Sequence, residues 1–256
     1  MFVVGDVHGH RDALVDLLRA AGLLDDAERW TGADARLWLV GDLVDRGPDG
    51  IGAVALVMRL EDESGGAVHC LLGNHEALLL AAHRFAAGET SVPGETFLDI
   101  WKWNGGVDSD LRALTPDVVD WLAARPPIAR VDEWLIVHAD TPAYLALGGS
   151  LDALSATVRT ILTDGTVEAM DDLLAVLSDR MRLTDPVAVD ALLDAYGGTR
   201  IVHGHTPIAS VRGVDPRAVT GPLAYGDGRV LNVDHCLFAG GPGFVTRLES
   251  GSGSEA

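Results

Sequence analysis

The chain has 256 residues, 48% of them hydrophobic, enough to bury the core of one large domain or two small ones. Its 38 acidic residues against 19 basic ones leave a formal charge of -19, which argues against nonspecific binding to a nucleic-acid backbone or an anionic membrane, because both need a cationic face. A small anionic substrate stays open where bound divalent cations reverse the field locally.

Two cysteines are too few for a disulfide framework, and Cys70 lies in the apolar run 67–72, where a buried free thiol is expected. The N-terminal residues carry no basic group ahead of their apolar ones, and no run reaches the roughly 18 apolar residues of a membrane helix. A cytoplasmic protein is expected.

In chain order, residues 2–4 predict a strand and 5–10 a loop, with two glycines among polar residues. Leu14, Leu17, Leu18 and Ala21 then fall at helical spacing, predicting a helix over 11–21 that stops at Gly22. The plan repeats as strand 36–40, loop 41–50 and helix 51–60, and again as strand 67–72, loop 73–76 and helix 77–87. Three such units predict an α/β fold with parallel strands. Residues 88–130, with Pro93, Trp101, Trp103 and Asn104-Gly105-Gly106, read as an irregular, partly helical insertion. A strand at 133–137 ends at His138. Helical spacing over 150–195, broken near 164–165 and 185–186, makes a candidate lid. Strand 199–202 leads into 203–207, short β segments follow at 229–233 and 243–248, and 249–256 is a polar tail expected to fray. No linker divides the chain, so 1–248 is read as one domain with helical insertions near 77–130 and 142–199.

Each of five predicted strand ends is followed by a residue able to bind a metal: Asp6 with His8, Asp42, Asn74, His138 and His205. Loops at the carboxyl ends of neighbouring strands converge on one crevice, so these residues can meet there. Carboxylate, imidazole and amide oxygen together suit Mn, Fe or Zn better than Ca or a thiolate-selective ion. The ligand count implies two metals, which one shared carboxylate bridges at about 3.5–4 Å. Singly, each residue has a bland alternative: Asp6 and Asp42 as turn or helix-capping groups, His138 as a structural histidine. Their joint occurrence, each directly after a strand, is what argues for a metal site.

Gly5-Asp6-Val7-His8-Gly9, Gly41-Asp42-Leu43-Val44-Asp45-Arg46-Gly47, Gly73-Asn74-His75-Glu76, Val137-His138-Ala139 and Gly204-His205-Thr206-Pro207 resemble, in order and spacing, the signature of the calcineurin-like metallophosphoesterases. The Asp45-Arg46-Gly47 and Asn74-His75-Glu76 forms are similar to the phosphoprotein phosphatase branch, which includes bacterial serine/threonine phosphatases and diadenosine tetraphosphatases. The resemblance implies a four-layer αββα sandwich, two mixed β-sheets flanked by helices. It also implies two divalent cations, Mn or else Fe or Zn: the first on Asp6, His8 and Asp42, the second on Asp42, Asn74, His138 and His205. Pro207 stands where the wider superfamily has a further histidine ligand.

The resemblance makes His75 the proton donor to the leaving oxygen, oriented and kept cationic by Asp45. Arg46 is the planar fork for the phosphoryl oxygens, with Asn74 beside it, and a second phosphate-binding arginine is Arg180 or Arg182, of which Arg180 is preferred. Residues 142–199 lie outside the resemblance. Asp140 and the His235-Cys236 pair after Asp234 depart from it, and His203 is left without a role.

The implied activity is hydrolysis of a phosphate monoester, on a phosphoprotein or a small ester or nucleotide, by in-line attack of a hydroxide bridging the metals. The rival enzyme is a dinucleoside polyphosphate hydrolase such as a diadenosine tetraphosphatase, which would need an adenine slot and basic residues beyond the catalytic arginine. The other rival is a noncatalytic binding module, which typically lacks the acid histidine or a metal ligand.

Overall fold

The computed structural model of the protein describes residues 1–249 apart from 87, 89 and 91. Short apolar runs bounded by glycines and polar turns become strands β1 (Phe2–Val4), β2 (Leu37–Leu39), β3 (Val68–Cys70), β4 (Ile128–Val131), β5 (Trp134–Val137), β6 (Arg200–His203), β7 (Leu223–Tyr225), β8 (Val230–Asn232) and β9 (Val245–Arg247). They form two sheets, in the orders β3-β2-β1-β9 and β4-β5-β6-β8-β7. β1, β2 and β3 run parallel with β9 antiparallel at the edge. β5, β6 and β8 run parallel between the antiparallel edges β4 and β7.

The strands of the three repeated units, β1 to β3, run parallel as expected, and both sheets are mixed, as the resemblance implied. β4 lies in a stretch read as insertion and β7 in one read as no strand. Each is half of an antiparallel pair with its neighbour in sequence, which a short turn can close without a crossover helix.

Alternation along the strands sets the layers, because successive side chains point to opposite faces. Val3, Trp38, Val40 and Leu71 of one sheet pack with Trp134, Ile136 and Val202 of the other. Their neighbours Val4, Leu37, Leu39, Leu135, Val137 and Ile201 turn the other way, into the cluster that contains the helices' apolar faces. With both faces covered, these strands read as apolar runs rather than as alternating ones.

The helices are α1 (Arg11–Ala20), α2 (Gly50–Glu63), α3 (Asn74–Phe85), α4 (Phe97–Trp103), α5 (Asp108–Ala113), α6 (Pro116–Ala123), α7 (Leu151–Asp164), α8 (Val167–Ser178), α9 (Pro186–Tyr196) and α10 (Ile208–Arg212). Helix α3 begins at Asn74, three residues before the expected Ala77. Glu76 is the cause: its carboxylate accepts the Gly73 N–H at 2.9 Å and so caps the first turn. About half of 88–130 is helical, in keeping with the partly helical reading, with Thr96 and Thr115 as side-chain caps of α4 and α6.

The candidate lid is instead part of the core. Leu154, Val158, Leu162, Met170, Leu173, Leu177, Val189 and Leu192 of α7 to α9 are buried in the main cluster. Periodicity revealed one apolar face on each helix, and that face meets the second sheet and α3 rather than a cleft. Among the described residues no helix is long and apolar enough to cross a membrane. The expected tail lies outside the described residues from 250 onward.

Candidate metal centre and catalytic pair

The parallel strands of both sheets aim their carboxyl ends at one edge. β1 delivers Asp6 and His8, β2 Asp42, β3 Asn74, β5 His138 and β6 His205; all six are buried. The loops are stitched together across the chain. The N–H groups of Val7 and His8 donate to the Asp42 carbonyl, and both carboxylate oxygens of Asp6 accept the His205 N–H at 3.0 Å. Close approach needs glycine at two of these turns. A Cβ on Gly41, at φ 100°, would lie 2.6 Å from the Gly73 nitrogen, and one on Gly204 would lie 2.1 Å from Oδ1 of Asp6. His8, Asp42, Asp45, Arg46 and His205 all hold positive φ, a costly backbone state for residues other than glycine and one concentrated at functional sites.

Asp42 stands at the centre. Its Oδ1 accepts the His75 N–H at 3.0 Å and faces His138 Nε2 at 3.4 Å, while Oδ2 faces His8 Nε2 at 3.6 Å and His75 Nε2 at 4.0 Å. Ligand atoms of Asp42, His138 and His205 lie within 4.8 Å of one another, and so do those of Asp42, His8 and His75. Asp42 belongs to both groups. Asp6 stands 4.0 Å from His8 Nε2, beside the second of these groups.

Tautomers follow from the outer partners. His138 donates from Nδ1 to the Val40 carbonyl at 2.8 Å, and burial lowers its pKa to about 3, so Nε2 carries a lone pair. That lone pair faces Asn74 Oδ1 at 3.0 Å and Asp42 Oδ1 at 3.4 Å. His8 is held through Nδ1 by the Val44 carbonyl, leaving Nε2 inward, and His205 through Nε2 by the Ser178 carbonyl, leaving Nδ1 inward. Burial also raises Asp6 and Asp42 well above the carboxylate range, aided at Asp6 by Asp234 and at Asp42 by Glu76. Converging lone pairs and buried carboxylates that repel one another are the complement of divalent cations, and oxygen with imidazole nitrogen fits Mn, Fe or Zn.

Beside Asp42, His75 Nδ1 meets Asp45 Oδ2 at 2.8 Å, and the other Asp45 oxygen accepts the Trp101 indole N–H at 2.8 Å. Arg46 reaches inward, NH1 to His8 Nε2 and NH2 to His75 Nε2, both at 2.9 Å, with its guanidinium 4.3 Å from the centre of the Phe238 ring. This alters the expected state of His75. Burial and the Arg46 charge drive its pKa well below the usual value, and burial lifts Asp45 to about 8. In this arrangement the imidazole is neutral, protonated toward Asp45 and accepting at Nε2, rather than cationic.

Of the two candidate arginines, Arg182 is tied to Asp179 at 3.0 Å, whereas Arg180 makes no hydrogen bond or ion pair among the described residues. Arg180 is close enough to lower the pKa of His75, His138 and His205.

Several residues of the site escaped sequence reasoning. Glu76 accepts the N–H groups of Asp42, Leu43 and Gly73 at 2.8, 2.6 and 2.9 Å, with Val44 at 3.3 Å, clamping two metal-site loops together. An acid at the third position of a helix was the available signal. Trp101 and Asp110, whose Oδ2 accepts the Asp45 N–H at 3.2 Å, come from the insertion and left no signal. Asp234 is buried, and its Oδ2 has no partner among the described residues.

This fold and this donor set define a metallophosphoesterase. The family model for calcineurin-like phosphoesterases matches residues 1–209, and the chain belongs to that family, whose members are hydrolases of phosphoester bonds. A symmetrical bis(5'-nucleosyl)-tetraphosphatase of Pseudomonas fluorescens (strain SBW25) is 31% identical over 204 residues, which are 78% of this chain and 62% of that protein. The chain thus spans less than two thirds of that relative's length. A cold-active protein tyrosine phosphatase superposes with a TM-score of 0.72 at 21% identity, over 95% of this chain and 72% of that one. A Saccharomyces cerevisiae protein serine/threonine phosphatase with similarity to human phosphatase PP5 gives 0.58 at 16%, over 91% and 66%. At these identities the two structures bear on the fold alone: two mixed sheets flanked by helices.

Proposed function

We propose that the protein hydrolyses phosphate monoesters at the Asp42-centred site. The observation that carries this reading is the division of Asp42: one oxygen faces His138, the other His8, and the His75–Asp45 pair stands alongside. Asp6, His8 and Asp42 would hold one divalent cation, and Asp42, Asn74, His138 and His205 the other. Bound there, the two cations would polarise the phosphoryl oxygens and acidify the attacking water.

The chain's own groups do the rest. Arg46 turns its fork from the two imidazoles to the phosphoryl oxygens, joined by Arg180. His75 Nε2, released from Arg46, takes up a proton from solvent water and delivers it to the leaving oxygen, while Asp45 keeps the Nδ1 proton and Trp101 keeps Asp45 in place. A second reading, cleavage of a phosphoanhydride in a dinucleoside tetraphosphate, is supported by the name of the Pseudomonas relative.

The test is metal analysis of the isolated protein with rates on aryl phosphate, phosphopeptide and diadenosine tetraphosphate, for the wild type and His75→Asn. Retained metal with a rate lower by about 10²- to 10⁴-fold, most for leaving groups of high pKa, is expected. An equal loss on every substrate removes the proton-donor role.

A further inference from the structure

Beside the metal centre, a cavity of about 330 Å³ lies between α10, the turn after α8, and strands β7 and β8. Met181, Val211, Leu223 and Tyr225 line it, with Arg212 among its polar groups. A cleft of about 270 Å³ shares Met181, Thr206 and Val211 with it and adds Arg180. The two form one trench from Arg180 to the Tyr225 ring.

The walls of the trench are held by the residues that sequence reasoning left without a role. Asp140 accepts the Thr206 hydroxyl at 2.6 Å and the Met181 N–H at 2.8 Å, fixing Met181 at φ 65° beside the loop that carries His205. His203 donates from Nδ1 to the Gly204 carbonyl and accepts the Tyr225 hydroxyl at Nε2, both at 2.8 Å, which sets the angle of the tyrosine ring. Met181 and Val211 are 43% and 40% exposed, apolar surface left in water on both sides of the cavity.

We propose that this trench receives the nucleoside of a nucleoside 5'-phosphate or polyphosphate whose reacting phosphoryl group lies on the metal centre, an inference that rests on the phosphoesterase reading above. The cavity has room for a base with its sugar, more than one amino-acid side chain fills. A ring face and a thioether offer stacking. The side chains of Arg180 and Arg212 make no hydrogen bond or ion pair among the described residues, and in a chain of charge -19 they place cations where further phosphates would run. Apart from the two arginines, the lining polar groups have partners: Asn232 Nδ2 donates to the Thr206 carbonyl and the Thr184 hydroxyl to the Met181 carbonyl. The base is therefore held by stacking rather than by its edge, and adenine and guanine are discriminated weakly.

Val211→Trp fills the trench from a half-exposed position. KM is measured with Mn on para-nitrophenyl phosphate, diadenosine and diguanosine tetraphosphate and a phosphoserine peptide, and AMP binding is followed by calorimetry. Val211→Trp should raise KM for both dinucleotides and Kd for AMP by about tenfold or more, since base stacking on an aromatic ring carries that much. It should leave para-nitrophenyl phosphate and the peptide within about twofold, and the two dinucleotides should differ by less than about fivefold. Unchanged dinucleotide KM and AMP affinity in Val211→Trp overturns the trench, as does a rise confined to the peptide. If the metal-loaded wild type turns over none of these substrates, the phosphoesterase reading falls instead, while AMP binding lost in Val211→Trp still supports the trench.

Discussion

Around the loops that follow β2 and β3, nearly every polar group near Asp42 has its partner. Glu76 alone gathers the N–H groups of Asp42, Leu43, Val44 and Gly73, and Asp45 is bonded to His75 and Trp101. The loop after β8, on the other sheet, is built differently. There Asp234 Oδ2 and both ring nitrogens of His235 are buried without a partner among the described residues. A satisfied buried network holds its shape without a ligand, whereas each orphaned group costs roughly 1–3 kcal/mol. The first sheet thus carries the prepared half of the centre, and the second leaves capacity unused.

The largest expected effect tests the prepared half. Glu76→Gln keeps the size of the side chain but turns an N–H₂ toward backbone N–H groups. Its cost should be about 2–3 kcal/mol in denaturant unfolding, with metal affinity lower by about 10- to 100-fold. Unchanged metal affinity would mean that the Asp42 loop keeps its shape without the clamp.

A smaller effect, spread over both halves, is the gain in Tm on adding Mn, which should be larger at pH 8 than at pH 5.5. Burial raises Asp6 and Asp42, lifts Asp45 to about 8 and lifts Asp234 to about 6. A carboxyl with a raised folded-state pKa weakens the fold above its unfolded pKa of about 4, and the penalty grows until the folded pKa is passed. Cations relieve that penalty at the ligands Asp6 and Asp42, and at pH 5.5 they must first displace protons from those two carboxyls. A gain that is flat with pH would mean these carboxyls carry no such load.

The smallest change should have the opposite sign from Glu76→Gln. Burial brings His235 down to about 3, so it is neutral in the folded chain. An unfolded imidazole takes up its proton as pH falls through about 6.5, so stability drops from there toward pH 3. His235→Phe, placed against Phe244, removes both orphaned nitrogens and should stabilise by about 1 kcal/mol at pH 7, more at pH 5. A loss instead would show that the imidazole has a partner in solution, and the contrast between the halves would narrow.

The motif residues were legible because each sits directly after a strand, and local signals for strand, turn and helix are contained in a few neighbouring residues. Glu76 was visible as a residue but not as a clamp, since its partners at 42–44 lie more than thirty positions away. Trp101 reaches Asp45 across 56 positions, from a stretch whose pattern predicted only irregular structure. The helices at 150–195 were readable as helices, but periodicity identifies an apolar face without naming what covers it.

By itself, then, the order of residues determined the repeated strand-loop-helix units and the chemistry waiting at their ends. Tertiary structure decided which edges run antiparallel, that α7 to α9 complete the core, and that His75 is neutral against Arg46. It also decided that Asp140 and His203 brace a trench beside the centre. The reason is physical: donor and acceptor types are fixed along the chain, but protonation, pairing and enclosure depend on groups brought near only by packing.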